Sequence, residues 1–426
     1  MELPTRAGRG IFPIFIKSTT TVCIINQNIL MTNIIARYFI AGILTVTTLL
    51  QVQAQTNKNA VAGYVFEDLN KNGVRDNNEP GIKGVTVSDQ VNIAVTNDQG
   101  MYELINPGGY GILFISTPDG YAITNTFWQP TSTTGLVSFA LTRIKTPAAF
   151  TFIQASDTHI SEKAVDRMDK FRAIIDSVKP SLVIITGDLV KDALRVPEKE
   201  ATSLYQLFTT ESNKIKVPLR LIPGNHEIFG IERQLSLVSP QNPLYGRKMY
   251  RHYFGPDYYS FNYGGLHFIG LNSLEFEDLW YYGSIDSVQL EWLKKDLATV
   301  PASMPVVTFQ HVPFFSGGLS LQPYQEDGPA RVIEKEKGVV KYRHIVSNAE
   351  EVLAVLKDHN YPLALAGHYH SRQRFYVEGL ATRFEQTGAV IGPSEESGIK
   401  MPSGIMVYNV KEGKIDEGHF VPLDKK

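Results

Sequence analysis

The chain has 426 residues, 43% of them hydrophobic, more than one ordinary domain requires and enough for a substantial core. Its formal net charge is -2 at pH 7 and it has no long run of Lys or Arg, so it lacks the electrostatic footprint of a protein built to grip duplex nucleic acid or an anionic membrane surface. Any recognition of phosphate must then be local.

Residues 1–30 read as a leader ahead of the expected start at Met31. From there Arg37, an apolar run from Tyr38 to Leu50, and Val52-Gln53-Ala54 form a signal peptide over 31–54, with cleavage expected after Ala54. The apolar run is shorter than the roughly 20 residues of a spanning helix, and Thr45, Thr47 and Thr48 dilute it, so no transmembrane span is expected after cleavage. Export places the mature protein in the periplasm or outside the cell. Cys23, the only cysteine, lies in the leader, so stability must come from packing and metal.

Between 60 and 145 short alternating runs recur at Val61–Phe66, Val85–Ser88, Ile93–Thr96, Met101–Leu104, Tyr110–Ile115 and Leu136–Leu141. Turn residues separate them, which predicts a small all-β sandwich. Within it Asp68, Asn70, Asn72, Gly73, Val74, Asp76 and Glu79 follow the spacing of a calcium loop: alternating oxygen donors, the Val74 carbonyl, and a glycine at the sharp turn. Asn, Asp and Gly also dominate ordinary polar hairpins, so one Ca and a plain surface turn are both open readings. The flanks look extended, which argues against an EF-hand. The arrangement resembles the calcium-binding prealbumin-like modules of bacterial surface adhesins.

After Thr146-Pro147 strand-like runs alternate with helical stretches near 164–178, 200–211, 287–299 and 348–358, the pattern of an α/β layered domain over 148–420. The strand runs are Phe150–Gln154, Leu182–Thr186, Leu219–Ile222, His267–Leu271, Val306–Gln310 and Leu363–Ala366. Five polar clusters follow strands: Asp157-Thr158-His159, Gly187-Asp188, Gly224-Asn225-His226-Glu227, His311, and Gly367-His368-Tyr369-His370. Mixed carboxylate and imidazole donors suit Zn, Mn or Fe(II), whereas an oxygen-only set would suit Mg or Ca. A central carboxylate such as Asp188 suits two cations about 3.5 to 4 Å apart. Taken singly, a His near a strand end or an Asp after Gly is more often structural.

The set in order resembles the calcineurin-like metallophosphoesterase superfamily, whose pattern is D-x-H, G-D, G-N-H-D/E, a solitary His and G-H-x-H. The resemblance implies a four-layer α/β/β/α fold and two divalent metal ions (Mn, Fe or Zn). It implies Asp157, His159 and His370 on one ion, Asn225, His311 and His368 on the other, and Asp188 bridging. A bridging hydroxide would attack phosphorus, His226 would protonate the leaving oxygen as general acid, and Glu227 stands where that imidazole is often oriented. Lys191 departs from the pattern of purple acid phosphatases, which carry an iron-binding Tyr there, and this disfavours a ferric site. The end of the chain near Lys426 leaves no room for the large C-terminal domain of exported nucleotidases.

Aromatic residues crowd 245–263 and 280–282, and core packing is the better reading of them than a stacking wall. The stretch 316–343, with Gly317-Gly318, Pro323, Gly328 and Gly338, has the length of a functional lid. Its Lys335, Lys337, Lys341 and Arg343, with His344, read as solvated charge before substrate contacts. The expected substrate is a small-molecule, glycan or lipid phosphate ester, mono- or diester; the competing readings are an inactive envelope or glycan-binding protein that keeps the fold, and a metal store. Oligomeric state is open at this level.

Overall fold

Alternation in the strand Ala60–Glu67 turns Val61, Gly63 and Val65 inward, and the same period in Met101–Ile105 buries Tyr102 and Leu104. Ala60–Glu67 pairs antiparallel with Met101–Ile105 and parallel with Phe139–Arg143, and Tyr121–Ile123 completes that sheet. A second four-stranded sheet runs Ile93–Val95, Thr86–Ser88, Ile112–Ser116, Trp128–Pro130. Val65, Val87, Leu113 and Phe139 fill the space between the sheets, giving the expected all-β sandwich. The computed structural model describes residues 60–131, 135–317, 332–335, 339–396 and 398–424. The expected leader and signal peptide, and Gly318, Pro323, Gly328, Lys337 and Gly338, lie outside the described residues.

Beyond Ala149 two six-stranded sheets form. The first orders Leu219–Ile222, Leu182–Thr186, Ala149–Ala155, Gly404–Lys411 and Lys414–Ile415, with His419–Pro422 also on Gly404–Lys411. The second orders Tyr259–Tyr263, Leu266–Gly270, Val306–Phe309, Leu363–Ala366, Arg383–Gln386 and Gln373–Tyr376. Period two sorts the first sheet's faces. Phe152 and Ile184 face the second sheet's Phe268 and Phe309, whereas Ile153, Val183 and Ile185 face Phe171 and Ile175 of the helix Val165–Val178 and Phe208 of Glu198–Ser212. The helices Ser287–Leu297 and Ala349–Leu356 bring Trp292, Leu293 and Val352 to the second sheet. The mixed α/β architecture is the layered one expected. No helix among the described residues is long and apolar enough to cross a membrane.

The sandwich covers the outer edge of the second sheet. The Asn262 N–H donates to the Thr117 carbonyl at 2.8 Å, so the module's chain continues past the edge strand Tyr259–Tyr263. Phe114 meets Tyr259 and Trp292 at ring separations of 6.5 and 6.2 Å. The Trp292 indole N–H donates to Ser88 Oγ at 3.1 Å. Buried Asp257 binds the joint together, accepting from Arg251 at 2.8 and 2.9 Å and from Gln90 of the module at 2.9 Å. Removing one partner of a buried ion pair strands the other, so Asp257→Ala should destabilise the chain by about 3–5 kcal/mol. Differential scanning calorimetry reads this as a lower Tm; an unchanged Tm would mean the pair contributes nothing at this joint.

Candidate metal centre

Every expected ligand sits where a strand ends. Ala149–Ala155 runs into Asp157 and His159, Leu182–Thr186 into Asp188, Leu219–Ile222 into Asn225, Val306–Phe309 into His311, and Leu363–Ala366 into His368 and His370. All these strands are parallel, so their carboxyl ends open on one side, as in other α/β sheets that bind ligands. The backbone turns sharply there: Asp157 (φ 55°), His159 (φ 38°), Asp188 (φ 50°), His368 (φ 75°) and His370 (φ 51°) all lie in the left-handed region. Such conformations cost roughly 1–3 kcal/mol each for residues other than glycine and persist where the surroundings fix them. Gly187 (φ 89°) permits one of these turns, and a Cβ there would stand 2.7 Å from His311 Nδ1. At Gly224 a Cβ would stand 2.2 Å from Asp188 Oδ1.

The turned side chains converge. Asp157, His159 and His370 form one triad of potential ligand atoms, Asp188, His311 and His368 another, and His159, Asp188 and His226 a third, with the atoms of each within 4.8 Å of one another. Asp188 Oδ2 lies 3.2 Å from His311 Nε2 and 3.6 Å from His159 Nε2. His370 Nε2 lies 3.2 Å from Asp157 Oδ1 and 3.1 Å from His159 Nε2. His311 Nε2 lies 3.2 Å from Asn225 Oδ1 and 3.1 Å from His368 Nδ1. Imidazole nitrogens in such opposition must share a proton or a cation.

Two observations fit cations to this set. His311 Nδ1 lies 2.8 Å from the Thr186 carbonyl, which places a proton on Nδ1 and turns the Nε2 lone pair to the centre, the tautomer a metal ligand needs. Asp157 Oδ1 is buried and faces only imidazoles, with His370 Nε2 at 3.2 Å and His159 Nε2 at 3.8 Å. The electrostatics agree. Burial works against the Asp188 carboxylate, yet His311, His226 and His159 hold its pKa well below the usual carboxylate range. Burial likewise works against charge on His311, but Asp188 and Asp157 push its pKa up to about 9. Burial draws His159 down to about 4. The carboxylates form a cage that favours positive charge.

The calcineurin-like phosphoesterase family model matches residues 150–372, just over half the chain and the span that carries all five clusters. The chain belongs to the calcineurin-like phosphoesterase family. The SdrD B-like domain model matches residues 59–134, the sandwich that covers the sheet edge. Among curated relatives, the serine/threonine-protein phosphatase CPPED1 of Bos taurus is 29% identical over 164 residues, 37% of this chain and 47% of that protein. Serine-aspartate repeat-containing protein F of Staphylococcus epidermidis is 42% identical over 77 residues, 16% of this chain and 4% of that protein. The chain thus spans less than half the length of these relatives. A crystal structure of a dimetal phosphatase from Danio rerio, 14% identical, aligns with TM-score 0.43 over 65% of this chain and 99% of that one.

Within this calcineurin-like phosphoesterase, Glu227 departs from its expected contact. Its carboxylate accepts the backbone N–H groups of Leu189, Val190 and Gly224 at 2.8, 2.9 and 2.6 Å, tying the turn after Asp188 to the turn before Asn225. Burial and the Asp188 charge push the Glu227 carboxyl up to about 8 against the pull of those donors. The His226 ring finds its partner instead in the Lys191 carbonyl, 2.6 Å from Nδ1. The backbone N–H supplies that contact's counterpart on the other side, from His226 to Asp188 Oδ1 at 2.9 Å.

Two further residues reach the centre. His344 Nδ1 lies 2.7 Å from His368 Nε2, on the side of that ring facing away from His311, and Tyr281 lines the opening with its ring 6.5 Å from that of His368. Sequence reasoning grouped His344 with solvated charge, and it grouped Tyr281 with core aromatics, where its ring does pack while also lining the opening; neither has a neighbour in sequence that marks it as part of the site. Arg343 is also not solvated, being buried with its guanidinium 4.3 Å from the Tyr281 ring centre. Tyr250, Tyr258, Tyr259 and Phe261 are core, as expected.

Five turned ligand residues held near like charges should relax when cations leave. Chelation is therefore expected to lower Tm, by the equivalent of about 2.7 kcal/mol for cations supplied at a hundred times Kd. Calorimetry before and after chelator, with Mn or Zn restored, measures it; an identical Tm in all three states would contradict cation binding to the folded form.

Proposed function

We propose that this chain is an exported phosphoesterase that hydrolyses phosphomonoesters or phosphodiesters. The observation that carries the reading is the place of the Asp188 carboxylate between two ligand sets, with Oδ2 3.2 Å from His311 Nε2 of one and 3.6 Å from His159 Nε2 of the other. Asp157, His159 and His370 would hold one cation, Asn225, His311 and His368 the other, and Asp188 both. When bound, a pair of Mn, Fe or Zn ions supplies water activation and neutralises charge developing on phosphate oxygens.

The chain's own groups do the rest. The Lys191 carbonyl accepts from His226 Nδ1 and fixes the ring, so the proton given to the leaving oxygen would come from Nε2 of the imidazolium form, 3.9 Å from Asp188 Oδ2. An opening of about 460 Å³ above the centre, lined in part by Ser161, Lys191, Tyr281 and Ile391, admits the phosphate group of a small-molecule, glycan or lipid ester. Phosphorylated sugars, nucleotides, cyclic nucleotides and lipid head groups, assayed beside p-nitrophenyl phosphate and its bis ester with Mn or Zn, test the reading. Turnover of at least one ester class supports it. No turnover on any, with both cations bound, would favour an envelope-binding protein that keeps the fold.

The loop Asp68 to Glu79 supports a separate calcium reading. The Asp68 carboxylate accepts Asn72 and Gly73 N–H groups at 3.2 and 2.9 Å, and Glu79 accepts Leu69 and Asp76 N–H groups at 2.9 and 3.0 Å. Asn70 and Asn72 also donate to Asp76 Oδ2 at 2.8 and 3.1 Å, which draws the loop together, and Asp68, Asn70, Asn72, the Val74 carbonyl, Asp76 and Glu79 are the ligands the calcium reading would use. Calcium titration of the protein and of Asp68→Ala should show one saturable site in the first alone; equal heats in both would leave the loop a polar turn. Export to the periplasm or beyond rests on the signal pattern at 31–54, and proteomic detection of a chain beginning after Ala54 tests it.

A further inference from the structure

A second cavity, about 530 Å³, lies where the sandwich meets the catalytic layers, walled by Tyr121, Phe127, Phe261 and Tyr263. That volume falls in the range of small-molecule sites, which favour joints between domains. It stands at the opposite end of the first sheet from the metal centre. Ser181, Leu182, Pro218 and Leu219 line it at the starts of two strands whose far ends lead to Asp188 and Asn225, separated by about 15–20 Å of extended chain.

One cation faces this cavity. The Arg220 guanidinium lies 5.0 Å from the Phe127 ring centre and 4.7 Å from that of Phe261, held between an aromatic of each domain. Among the described residues no carboxylate pairs with it, and its one hydrogen bond is a long 3.5 Å contact to the Leu219 carbonyl. A guanidinium offers five N–H donors, so most of this group's capacity is unused. Burial pulls its pKa down, with no nearby acid to restore it. A second polar group on the same wall is also unsatisfied: Thr117 is 4% exposed and its hydroxyl has no partner. Arg220 is half-buried, so water can reach its free donors, whereas the Thr117 hydroxyl is a buried polar group of the kind that calls for a ligand, water or ion.

We propose that this cavity binds a small monocarboxylate with a flat apolar body. The planar fork of Arg220 matches a carboxylate in a bidentate pair, and its clamping between two rings means that little side-chain freedom is lost on pairing. A single cation balances a single negative charge, and among the described residues Arg220 is the only Lys or Arg lining this cavity, so a phosphate dianion would be left half neutralised. The ring walls accept a flat body in offset or edge contact. Because the clamp joins a ring of the sandwich to one of the catalytic layers, the ligand would sit across the joint itself.

The test uses the metal-loaded full chain, with phenylacetate and indole-3-acetate as probes and their uncharged amides as controls, by isothermal titration calorimetry in saturating inorganic phosphate so that the metal centre is filled. The expected result is saturable binding of the acids, with the amides weaker by about tenfold or more. Arg220→Met should erase the preference for acid over amide, and Arg220→Lys, which keeps charge without the fork, should retain part of it. Equal affinity for acid and amide, unchanged acid binding in Arg220→Met of native Tm, or no saturable binding of either acid up to the order of 10 mM would overturn the proposal. If Arg220→Met does not fold, the acid-to-amide ratio of the unaltered protein and of Arg220→Lys decides.

Discussion

Asp188→Ala is expected to lower kcat/KM by roughly a thousandfold or more, the equivalent of about 4 kcal/mol of transition-state stabilisation, and to strip cations from both halves of the centre. No other side chain is placed to do this. Among the described residues Asp157 belongs to one triad and His311 to another, whereas Asp188 lies between them, sharing a triad with His311 and His368 and another with His159 and His226, with Oδ2 within 3.2 to 3.9 Å of His311, His159 and His226. Its other oxygen accepts the His226 backbone N–H, so alanine would also loosen the turn carrying Asn225. Asp188→Asn separates the two effects, since the amide oxygen can keep that hydrogen bond while the charge is lost. Elemental analysis should find both variants short of cations, with the Asn variant close to native in its circular dichroism. An Asn variant that keeps two cations and full turnover would remove Asp188 from the shared position.

His226→Ala is expected to cost about 10² to 10⁴ in kcat, the usual contribution of a positioned acid, while leaving the cations bound. The loss should depend on the leaving group. p-Nitrophenolate departs readily without a proton, whereas an alkoxide does not, so an alkyl phosphate should lose more than p-nitrophenyl phosphate. The ring's fixed contact with Lys191 makes this a test of chemistry separate from binding. Parallel loss of one cation would instead make His226 a ligand in the triad it forms with His159 and Asp188. An equal loss on both leaving groups would deny it the acid's role.

Much of the centre is legible in the sequence because each cluster directly follows a strand run, and a strand's end fixes where its next two residues can point. Leu182–Thr186 and Leu363–Ala366 are read at their observed limits for this reason, as apolar runs buried on both faces with Gly after them, and Leu219–Ile222, half-buried and carrying Arg220, is read at its limits because Pro218 and Pro223 bound it. The strand Arg383–Gln386 is hidden because its buried positions are mostly polar. In Arg383–Gln386 every residue is buried, and Glu385 is matched by Arg374 at 3.0 Å and by the Tyr408 hydroxyl at 3.0 Å. Such satisfied polar positions break the binary pattern without breaking the strand. Gly404–Lys411 is a central strand of the first sheet whose partner, Ala149–Ala155, lies more than two hundred residues away, and periodicity carries no register over that separation.

Contacts across the site were less legible than its ligands. Glu227 adjoins His226 in sequence, but the short turn sends its carboxylate inward to three backbone N–H groups, and adjacency gave no warning. His344 reaches His368 from a segment with no motif. Nothing in the sandwich's own pattern marks its joint: Gln90, Ser88 and Phe114 become joint residues only once Asp257 and Trp292 are beside them.

Anomalous X-ray scattering from crystals grown with Mn tests the central claim most directly. The account predicts two peaks about 3.5 to 4 Å apart. One should lie among Asp157, His159 and His370, the other among Asn225, His311 and His368, and Asp188 should reach both. A well-ordered map with no peak there, or with one peak distant from Asp188, would contradict it.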